Sequence, residues 1–190
     1  MYVIKVSDNY QMLGREIEAL KDIKSKETKL NLAYPYDYVP VILSKGMFIL
    51  EKPSNDPSAV VSSTDFDDES ELQMSEDKKF LSFYVMPKYG QNLEQLFTHY
   101  NNHFTTKTIL QIGIKLVDII EKVHLAGFTY NDLKLDNILI GDHTLNEKYM
   151  HEIRLIDFGF SARFESKHGQ HIEETEVDVF RSNMIFATIN

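Results

Sequence analysis

The segment Tyr130–Asn137, which reads Y-N-D-L-K-L-D-N, constrains this chain more than any other stretch. It places an acid at Asp132, a lysine two positions later and an asparagine five positions later. A long amphipathic run precedes the segment, and the apolar residues I-L-I follow it. A second apolar run ends in D-F-G at Asp157–Gly159. An isolated D-x-K-x-x-N is weak evidence, but its combination with D-F-G across two strand-like runs favours one shared polar site over carboxylates that only cap turns.

The two motifs together resemble the catalytic loop and the metal-binding turn of Ser/Thr protein kinases. This resemblance implies that Asp132 orients the attacking hydroxyl and accepts its proton, and that Lys134 reaches toward the transferred phosphate. It implies equally that Asn137 and Asp157 bind Mg²⁺, which prefers hard oxygen ligands and keeps several waters. We also expect Gly159 to adopt backbone angles barred to other residues, so that the chain turns after the metal ligand.

Near the N-terminus, the β-branched run Tyr2–Val6 predicts a strand that contains Lys5. From the strand alone, a lysine that extends to solvent at a sheet edge is the better interpretation. The resemblance instead implies the kinase lysine that binds the α- and β-phosphates of ATP. Apolar spacing over Met12–Ile23 predicts a helix that supplies a carboxylate partner. Glu16 matches the family's helix glutamate best, and Glu18, at a different helix angle, is the alternative.

The stretch Met86–Gly90 leaves a predicted strand and enters a short predicted helix, Leu93–Tyr100. In a kinase this stretch is the hinge between the two lobes. The resemblance then implies that Met86 controls the depth of the nucleotide pocket. It also implies that the Pro87 carbonyl and the backbone of Tyr89 pair with adenine, since proline keeps its carbonyl although it lacks an N–H.

Two further strings resemble the casein kinase 1 family in particular. The first follows the hinge and reads G-Q-N-L-E-Q-L-F, and the second is the terminal A-T-I-N at residues 187–190. They narrow the resemblance from protein kinases in general to casein-kinase-1-like kinases. The vaccinia-related kinases, a sister group, are the near competitor.

The resemblance implies an α+β, protein-kinase-like two-lobe fold across residues 1–190. We expect residues 1–88 to belong to the small lobe, and residues 89–190 to hold the hinge and the first part of the large lobe. The apolar patterns predict two more strands, at Met47–Glu51 and Phe80–Met86, and a long helix at Phe104–Ala126 that Thr105 caps. They also predict a two-stranded ribbon formed by Asn137–Gly141 and Ile153–Ile156. Residues 53–79 are rich in Ser, Asp, Glu and Pro, so we expect a disordered acidic insertion there.

Four features depart from the family pattern. No glycine-rich hairpin precedes Lys5, and no lower-lobe helices follow the candidate activation segment at 157–190. We therefore expect an incomplete fold, from a fragment or a truncated gene product, with weak or no turnover. Tyr130 and Asn131 replace the usual His-Arg, whose arginine can clamp a phosphorylated loop, so we hypothesise that activity does not depend on loop phosphorylation. Asn183 stands where relatives carry a threonine that bonds the catalytic Asp and Lys.

Composition restricts the compartment and the partners. The 190 residues carry a net charge of −9 and include no cysteine, so neither disulfides nor thiolate metal sites are expected. No apolar run approaches the length of a membrane span and no signal peptide is evident, so we expect no membrane partner and an intracellular location, cytoplasmic or nuclear. The acidic charge disfavours nucleic-acid binding. The sequence does not predict an oligomeric state.

The function that these features predict is Mg-ATP-dependent phosphoryl transfer to Ser or Thr of protein substrates, with ATP and Mg²⁺ at the site. Lys134 favours this class over tyrosine kinases. A catalytically impaired pseudokinase, or a kinase fragment that acts as a binding or scaffold module, is the alternative. A small-molecule kinase of the aminoglycoside or choline type shares an Asp-x-x-x-x-Asn loop, but Lys134, the hinge string and A-T-I-N argue against it.

Overall fold

In the computed structural model, the described residues are 1–29, 38–51, 62–64, 78–141, 151–166 and 169–173. Their main sheet is antiparallel and has the strand order β1-β4-β2-β3. The four strands are β1 (Tyr2–Ser7), β2 (Ser44–Glu51), β3 (Ser62–Thr64) and β4 (Lys78–Pro87). Alternate residues of a strand point to opposite faces of a sheet. One face of β1 and β4 is therefore turned to the core, and the other face is turned outward.

Helix α1 (Tyr10–Lys29) packs on the core face of this sheet and begins at Asn9, whose side-chain oxygen accepts the Met12 amide at 3.0 Å. Its buried apolar side chains recur at helical spacing and are Leu13, Ile17, Leu20 and Ile23. The α1 contact with β4 fixes the helix against the strand that leads to the hinge.

Two helices follow the sheet: α2 (Leu93–His99) and α3 (Thr106–Leu125). Asn92 caps α2 in a capping box with Gln95, and Thr105 caps α3 through the Thr108 amide at 3.2 Å, as predicted. Gly127 follows α3 with φ +85°, a conformation that glycine adopts at low cost.

Short strand pairs follow α3. Strands β6 (Ile138–Ile140) and β7 (Ile153–Leu155) form the predicted ribbon, and β5 (Phe128–Thr129) pairs with β8 (Ala162–Arg163). The Leu155 amide donates to the Tyr38 carbonyl at 2.9 Å, which joins the ribbon to the segment that precedes β2. Helices and antiparallel strands in one packed core confirm the predicted α+β class.

The prediction of a disordered insertion over residues 53–79 is wrong where the structure describes that range. Ser62–Thr64 pair with β2 as β3, and Lys78 and Lys79 begin β4 opposite Glu51 and Leu50. Backbone pairing in a sheet adds hydrogen bonds that the polar composition of a segment does not reveal. The rest of the range lies outside the described residues, as do Asn183 and the A-T-I-N string. No helix within the described ranges is both long and apolar enough to cross a bilayer.

Candidate active site

Lys5 lies at the centre of a cluster of charged side chains. Its Nζ is 2.7 and 2.9 Å from the two carboxylate oxygens of Glu16 and 2.9 Å from Asp157 Oδ1. Strand β1, helix α1 and the turn after β7 each supply one of the three groups. The alternative partner, Glu18, is exposed on α1. The fold therefore pairs Lys5 with the favoured glutamate and adds the D-F-G aspartate.

Glu16 is the most buried member of the cluster, with 1% of its surface exposed. Besides Lys5, it accepts hydrogen bonds from the Tyr84 hydroxyl at 3.0 Å and from the Phe158 amide at 3.1 Å. A buried carboxylate is costly unless donors replace the water that it loses. These donors come from β4 and from the D-F-G turn, so the carboxylate binds both to α1.

Burial and neighbouring charges shift the pKa values of Lys5 and Glu16 in opposite directions. For Lys5, burial lowers the pKa, but the carboxylates of Glu16 and Asp157 outweigh it and the pKa lies above its ordinary value. Lys5 is therefore cationic at neutral pH. Burial raises the pKa of Glu16, and the Lys5 ammonium and the Tyr84 hydroxyl oppose that rise. Burial and then the charge of Glu16 raise the pKa of Tyr84, so its hydroxyl stays a donor.

A second cluster contains the three predicted polar residues of the catalytic loop. Lys134 Nζ lies 2.9 Å from Asp132 Oδ2, and Asn137 Nδ2 donates to the same oxygen at 2.8 Å and to the Asp132 carbonyl at 3.0 Å. A 3₁₀ turn over Leu135–Asn137 returns the chain toward Asp132. The spacing of the motif thus becomes direct contact, with Asp132 buried and Lys134 half-buried.

The ribbon connects the two clusters. The Ile156 amide donates to the Asn137 carbonyl at 2.9 Å, which places Asp157 one residue beyond that contact. Tyr130 adds a second link, since its hydroxyl donates to the Ile156 carbonyl and its ring meets the Phe158 ring edge-on at 5.0 Å. Burial raises the pKa of Tyr130, which keeps this donor protonated.

The donor set fits a magnesium ion. The amide nitrogen of Asn137 is engaged by Asp132, so its oxygen is the atom that it can offer a cation. Asp157 uses Oδ1 toward Lys5 and Gly159, and its second carboxylate oxygen is the other donor. Two hard oxygens supplemented by phosphates and water are the usual surroundings of protein-bound Mg²⁺.

The backbone of the D-F-G turn differs from the prediction. Asp157 adopts φ +61°, whereas Gly159 does not have a positive φ, so the prediction for Gly159 is wrong. Asparagine and aspartate tolerate the left-handed region better than other non-glycine residues. The structure shows a close side-chain contact at Gly159 instead. A Cβ there would lie 2.6 Å from Met12 Cε on α1, so it would displace the flexible end of that methionine.

The predicted hinge residues lie at the end of β4. Met86 is buried on the same face of the strand as Tyr84, and Pro87 lies opposite Tyr2 in the sheet. The Tyr89 ring is buried under the Arg154 guanidinium, 4.8 Å from the ring centroid. Gly90 then approaches the ribbon, and its amide donates to the Ile140 carbonyl at 3.0 Å. These contacts hold the stretch between the sheet and the ribbon. The adenine contacts stay predictions.

Tyr84 and Asn131 also belong to the site, although the sequence indicated Asn131 only as the replacement for the family's arginine. Tyr84 binds Glu16, and Asn131, at φ +65°, donates from its side chain to the Phe160 carbonyl at 3.1 Å. The run F-L-S-F-Y-V-M gave no local signal for Tyr84, because its one polar residue, Ser82, is buried on the same face of β4. Nothing local indicated the contact of Asn131.

Comparison with known proteins identifies the family. The chain matches the protein kinase domain over residues 71–181, more than half of its length. It is also 31% identical over 107 residues to casein kinase I homolog 2 of Saccharomyces cerevisiae, which covers 56% of this chain and 19% of that protein. The chain thus spans about a fifth of that relative's length. The chain belongs to the protein kinase family and is casein-kinase-1-like, as its catalytic-loop, D-F-G and hinge strings predicted.

Proposed function

We propose that this chain is a protein serine/threonine kinase that transfers the γ-phosphoryl group of Mg-ATP to Ser or Thr hydroxyls of protein substrates. The observation that carries the proposal is the cluster of Lys5, Glu16 and Asp157, joined through the ribbon to Asp132 and Asn137. Such an arrangement offers a cation for phosphate, oxygens for Mg²⁺ and a carboxylate for the attacking hydroxyl.

Lys5 and Asp132 have separate tasks in this mechanism. Lys5, held cationic by its two carboxylates, binds the α- and β-phosphates of ATP. Asp132 orients the substrate hydroxyl and accepts its proton. The oxygen–phosphorus bond to the substrate forms while the bond to the β-phosphate oxygen breaks, which leaves ADP. Lys134, beside Asp132, neutralises charge on the moving phosphoryl group.

Asn137 and Asp157 are the residues that would hold Mg²⁺. The ion, when bound, neutralises the phosphate oxygens and orients the nucleotide. The protein fixes both ligands beforehand, because Asp132 orients the Asn137 amide and Lys5 orients the Asp157 carboxylate. Such preorganisation lowers the cost of assembling the site when nucleotide arrives.

The test is phosphoryl transfer from radiolabelled ATP to a mixed Ser/Thr peptide library, with Mg²⁺ and with excess chelator. We expect weak but Mg²⁺-dependent label on Ser and Thr, in line with the low turnover expected for this chain, and loss of that label in Asp132→Asn. Label that is independent of Mg²⁺, or a rate that survives Asp132→Asn, would overturn the proposal. Residues 1–88 and 89–190 as parts of two lobes, and an intracellular location, stay predictions.

A second candidate is a binding or scaffold module with the kinase fold. Exposed apolar side chains on α3 favour it, since Ile114 and Val117 are 65% and 68% exposed. Contiguous exposed apolar surface marks interaction sites. Thermal unfolding with ADP or ATP, each with and without Mg²⁺, separates the two candidates. A magnesium-dependent shift supports the enzyme, and its absence at millimolar nucleotide supports the module.

A further inference from the structure

Two ion pairs join α1 to the segment that follows D-F-G. Asp22 pairs with Arg163, and Lys26 Nζ lies 2.5 Å from Glu165 Oε2. These four residues, here named the charge ladder, lie outside the set predicted to bind nucleotide or metal. Asp22 and Lys26 occupy one face of the helix, four residues apart. Arg163 ends β8, and Glu165 follows it by two residues outside that strand, where the amides of Phe164 and Glu165 both donate to the Gly127 carbonyl; this segment is the strand side of the ladder.

The two spacings of the charge ladder are of comparable length. Four residues rise about 6 Å along an α-helix, and two residues of extended chain reach at most about 7 Å. The charges alternate in opposite order, negative then positive on α1 and positive then negative on the strand side. A shift of one turn along α1 would place Lys26 opposite Arg163. The ladder therefore favours one register of the helix against this segment.

The strand side of the ladder rests on the junction that follows α3. The Arg163 guanidinium lies over the Phe128 ring, 4.4 Å from its centroid, and the Phe164 amide donates to the Gly127 carbonyl at 3.0 Å. A Cβ on Gly127 would come within 2.9 Å of Glu165 Oε2 and 3.0 Å of Glu165 Cβ, and its φ of +85° favours glycine, so a larger residue would disturb this side of the ladder. The strand side is thus attached to the chain that leads into the catalytic loop.

The helix side of the ladder controls the direction of Glu16. Glu16 precedes Asp22 by six residues, about 9 Å along α1, and projects from a different face of the helix. A rotation or slide of α1 would therefore withdraw the carboxylate from Lys5 and from the Phe158 amide. We propose that the charge ladder positions α1 so that Glu16 meets Lys5, and does so without a phosphate group on the activation segment. This inference rests on the proposed function, because Lys5 is its nucleotide ligand.

The four side chains are between 22% and 36% exposed, so solvent and salt screen each pair. An exposed ion pair of this kind changes an equilibrium by roughly 1.5-fold to fivefold. Replacing both attractions by repulsions doubles the change for each pair, and we expect about a tenfold effect on Mg-ATP affinity for the whole ladder. The effect should shrink as the salt concentration rises.

Three variants of the full chain test the ladder at constant net charge. The helix swap is Asp22→Lys with Lys26→Glu, the strand swap is Arg163→Glu with Glu165→Arg, and the full swap combines all four. The helix swap and the strand swap, here called the half swaps, each set like charges opposite each other in both ion pairs. We expect each to weaken Mg-ATP binding about tenfold by calorimetry, as argued from exposed ion pairs, and the full swap to recover most of that loss. A merely destabilising substitution would not be rescued by a second one.

Hydrogen exchange gives a readout that does not need nucleotide. Each half swap should speed amide exchange in α1 around Glu16, and the full swap should slow it again. Lys115→Glu is the control, because it turns an ion pair between α3 and the residue before β7 into a pair of like charges. We expect that control to leave both Mg-ATP affinity and exchange in α1 unchanged.

These experiments distinguish a failure of the charge-ladder proposal from a failure of the proposed function. Half swaps that bind Mg-ATP as the parent does, or a full swap that recovers neither affinity nor exchange, would overturn the ladder. A parent chain that binds no Mg-nucleotide would overturn the proposed function instead. In that case hydrogen exchange alone tests the charge-ladder proposal. Amide protection around Glu16 that falls in the half swaps and returns in the full swap would support the proposal, and equal protection in all variants would overturn it.

Discussion

The backbone amide of Phe158 donates to Glu16 Oε1 at 3.1 Å, so one buried carboxylate binds the D-F-G turn and Lys5 together. The bond makes the orientation of Asp157 depend on the position of α1. A helix that moved outward would leave a buried N–H and a buried charge without partners, which costs more than the loss of an exposed contact. The assembled state of the site is thereby coupled to the packing of one helix.

Glu16→Gln tests this coupling. The substitution keeps the volume and one oxygen but removes the charge that balances Lys5. We expect the free energy of unfolding to fall by about 1–3 kcal/mol, near the lower value because Lys5 is 30% exposed. Mg-ATP affinity should fall about tenfold, the size of one charge-assisted hydrogen bond. Urea denaturation and calorimetric titration measure the two effects.

Glu18→Gln is the control for that substitution, since Glu18 is exposed on the same helix. We expect it to change neither quantity, because surface substitutions usually alter stability by less than about 0.5 kcal/mol. Equal losses in both variants would mean that the charge of α1 as a whole, and not its contact with Lys5, matters.

Asp157→Asn separates the metal ligand from the fold. Asparagine tolerates the φ of +61° found at this position and keeps one oxygen. We therefore expect a folded chain whose free energy of unfolding falls by at most about 1 kcal/mol, since the weakened ion pair with Lys5 is partly exposed. The phosphoryl-transfer rate should fall by about 10²–10³, as for loss of a preorganised charge. Asp136→Asn, an exposed aspartate of the same loop, should transfer at the parent rate. A near-parental rate in Asp157→Asn would contradict the metal assignment.

Stability should fall at alkaline pH. Lys5, Tyr84 and Tyr130 have folded-state pKa values above their ordinary 10.5, 10.0 and 10.0. Above about pH 10 the folded protein therefore binds more protons than the unfolded chain, so the free energy of unfolding decreases as pH rises. Each group contributes a slope of up to about 1.4 kcal/mol per pH unit and none well below pH 10. Denaturation between pH 9 and 12, as an order-of-magnitude window around these values, measures the slope.

Tyr84→Phe removes one of the three groups from that titration. Its slope above pH 10 should be smaller by about one proton, which is roughly 1.4 kcal/mol per pH unit. An identical slope in the variant would refute the part assigned to Tyr84.

Two glycine substitutions should act in opposite directions. Gly113 lies inside α3 with open space around its Cα, so Gly113→Ala should stabilise the fold by about 0.5–1 kcal/mol through helix propensity. Gly90→Ala would place a Cβ 2.8 Å from the Gly141 carbonyl oxygen and from Ile140, and should cost about 1–3 kcal/mol. Thermal unfolding of both variants checks the signs. A higher unfolding temperature for Gly90→Ala would mean that Gly90 is not in close contact with the ribbon.

Phosphatase treatment should leave the transfer rate unchanged. Asn131 occupies the place of the family's arginine, and its side chain bonds to the Phe160 carbonyl, so it reaches the D-F-G segment without a phosphate. The measurement is the rate before and after treatment, with phosphate removal verified by mass spectrometry. A large loss of rate would show that phosphorylation does activate the chain.

The site could be predicted from the sequence wherever its chemistry lies in short, fixed spacings. Asp132, Lys134 and Asn137 contact one another because a single loop holds all three, and the Thr105 cap and the β6–β7 ribbon follow from local patterns in the same way. Lys5 pairs with Glu16 and Glu18 is exposed, in agreement with the choice of Glu16 as the best match to the family's helix glutamate.

Other features depend on residues far apart in the chain. The strand at Ser62–Thr64 exists through pairing with β2, which its polar composition does not encode. Asp157, not Gly159, takes the left-handed backbone, and the Met12 side chain of α1 lies against Gly159. No local pattern indicated either of these features.

By itself, the sequence determined the α+β class, the kinase family and the identities of the polar groups, because helix and strand periods and motif spacings are local properties of a chain. Only the tertiary structure decided that Lys5, Glu16, Tyr84 and Phe158 meet at one carboxylate and that the charge ladder fixes the register of α1. The physical reason is that a buried charge is stable only where donors from distant segments replace its water. Which segments supply those donors is settled by packing.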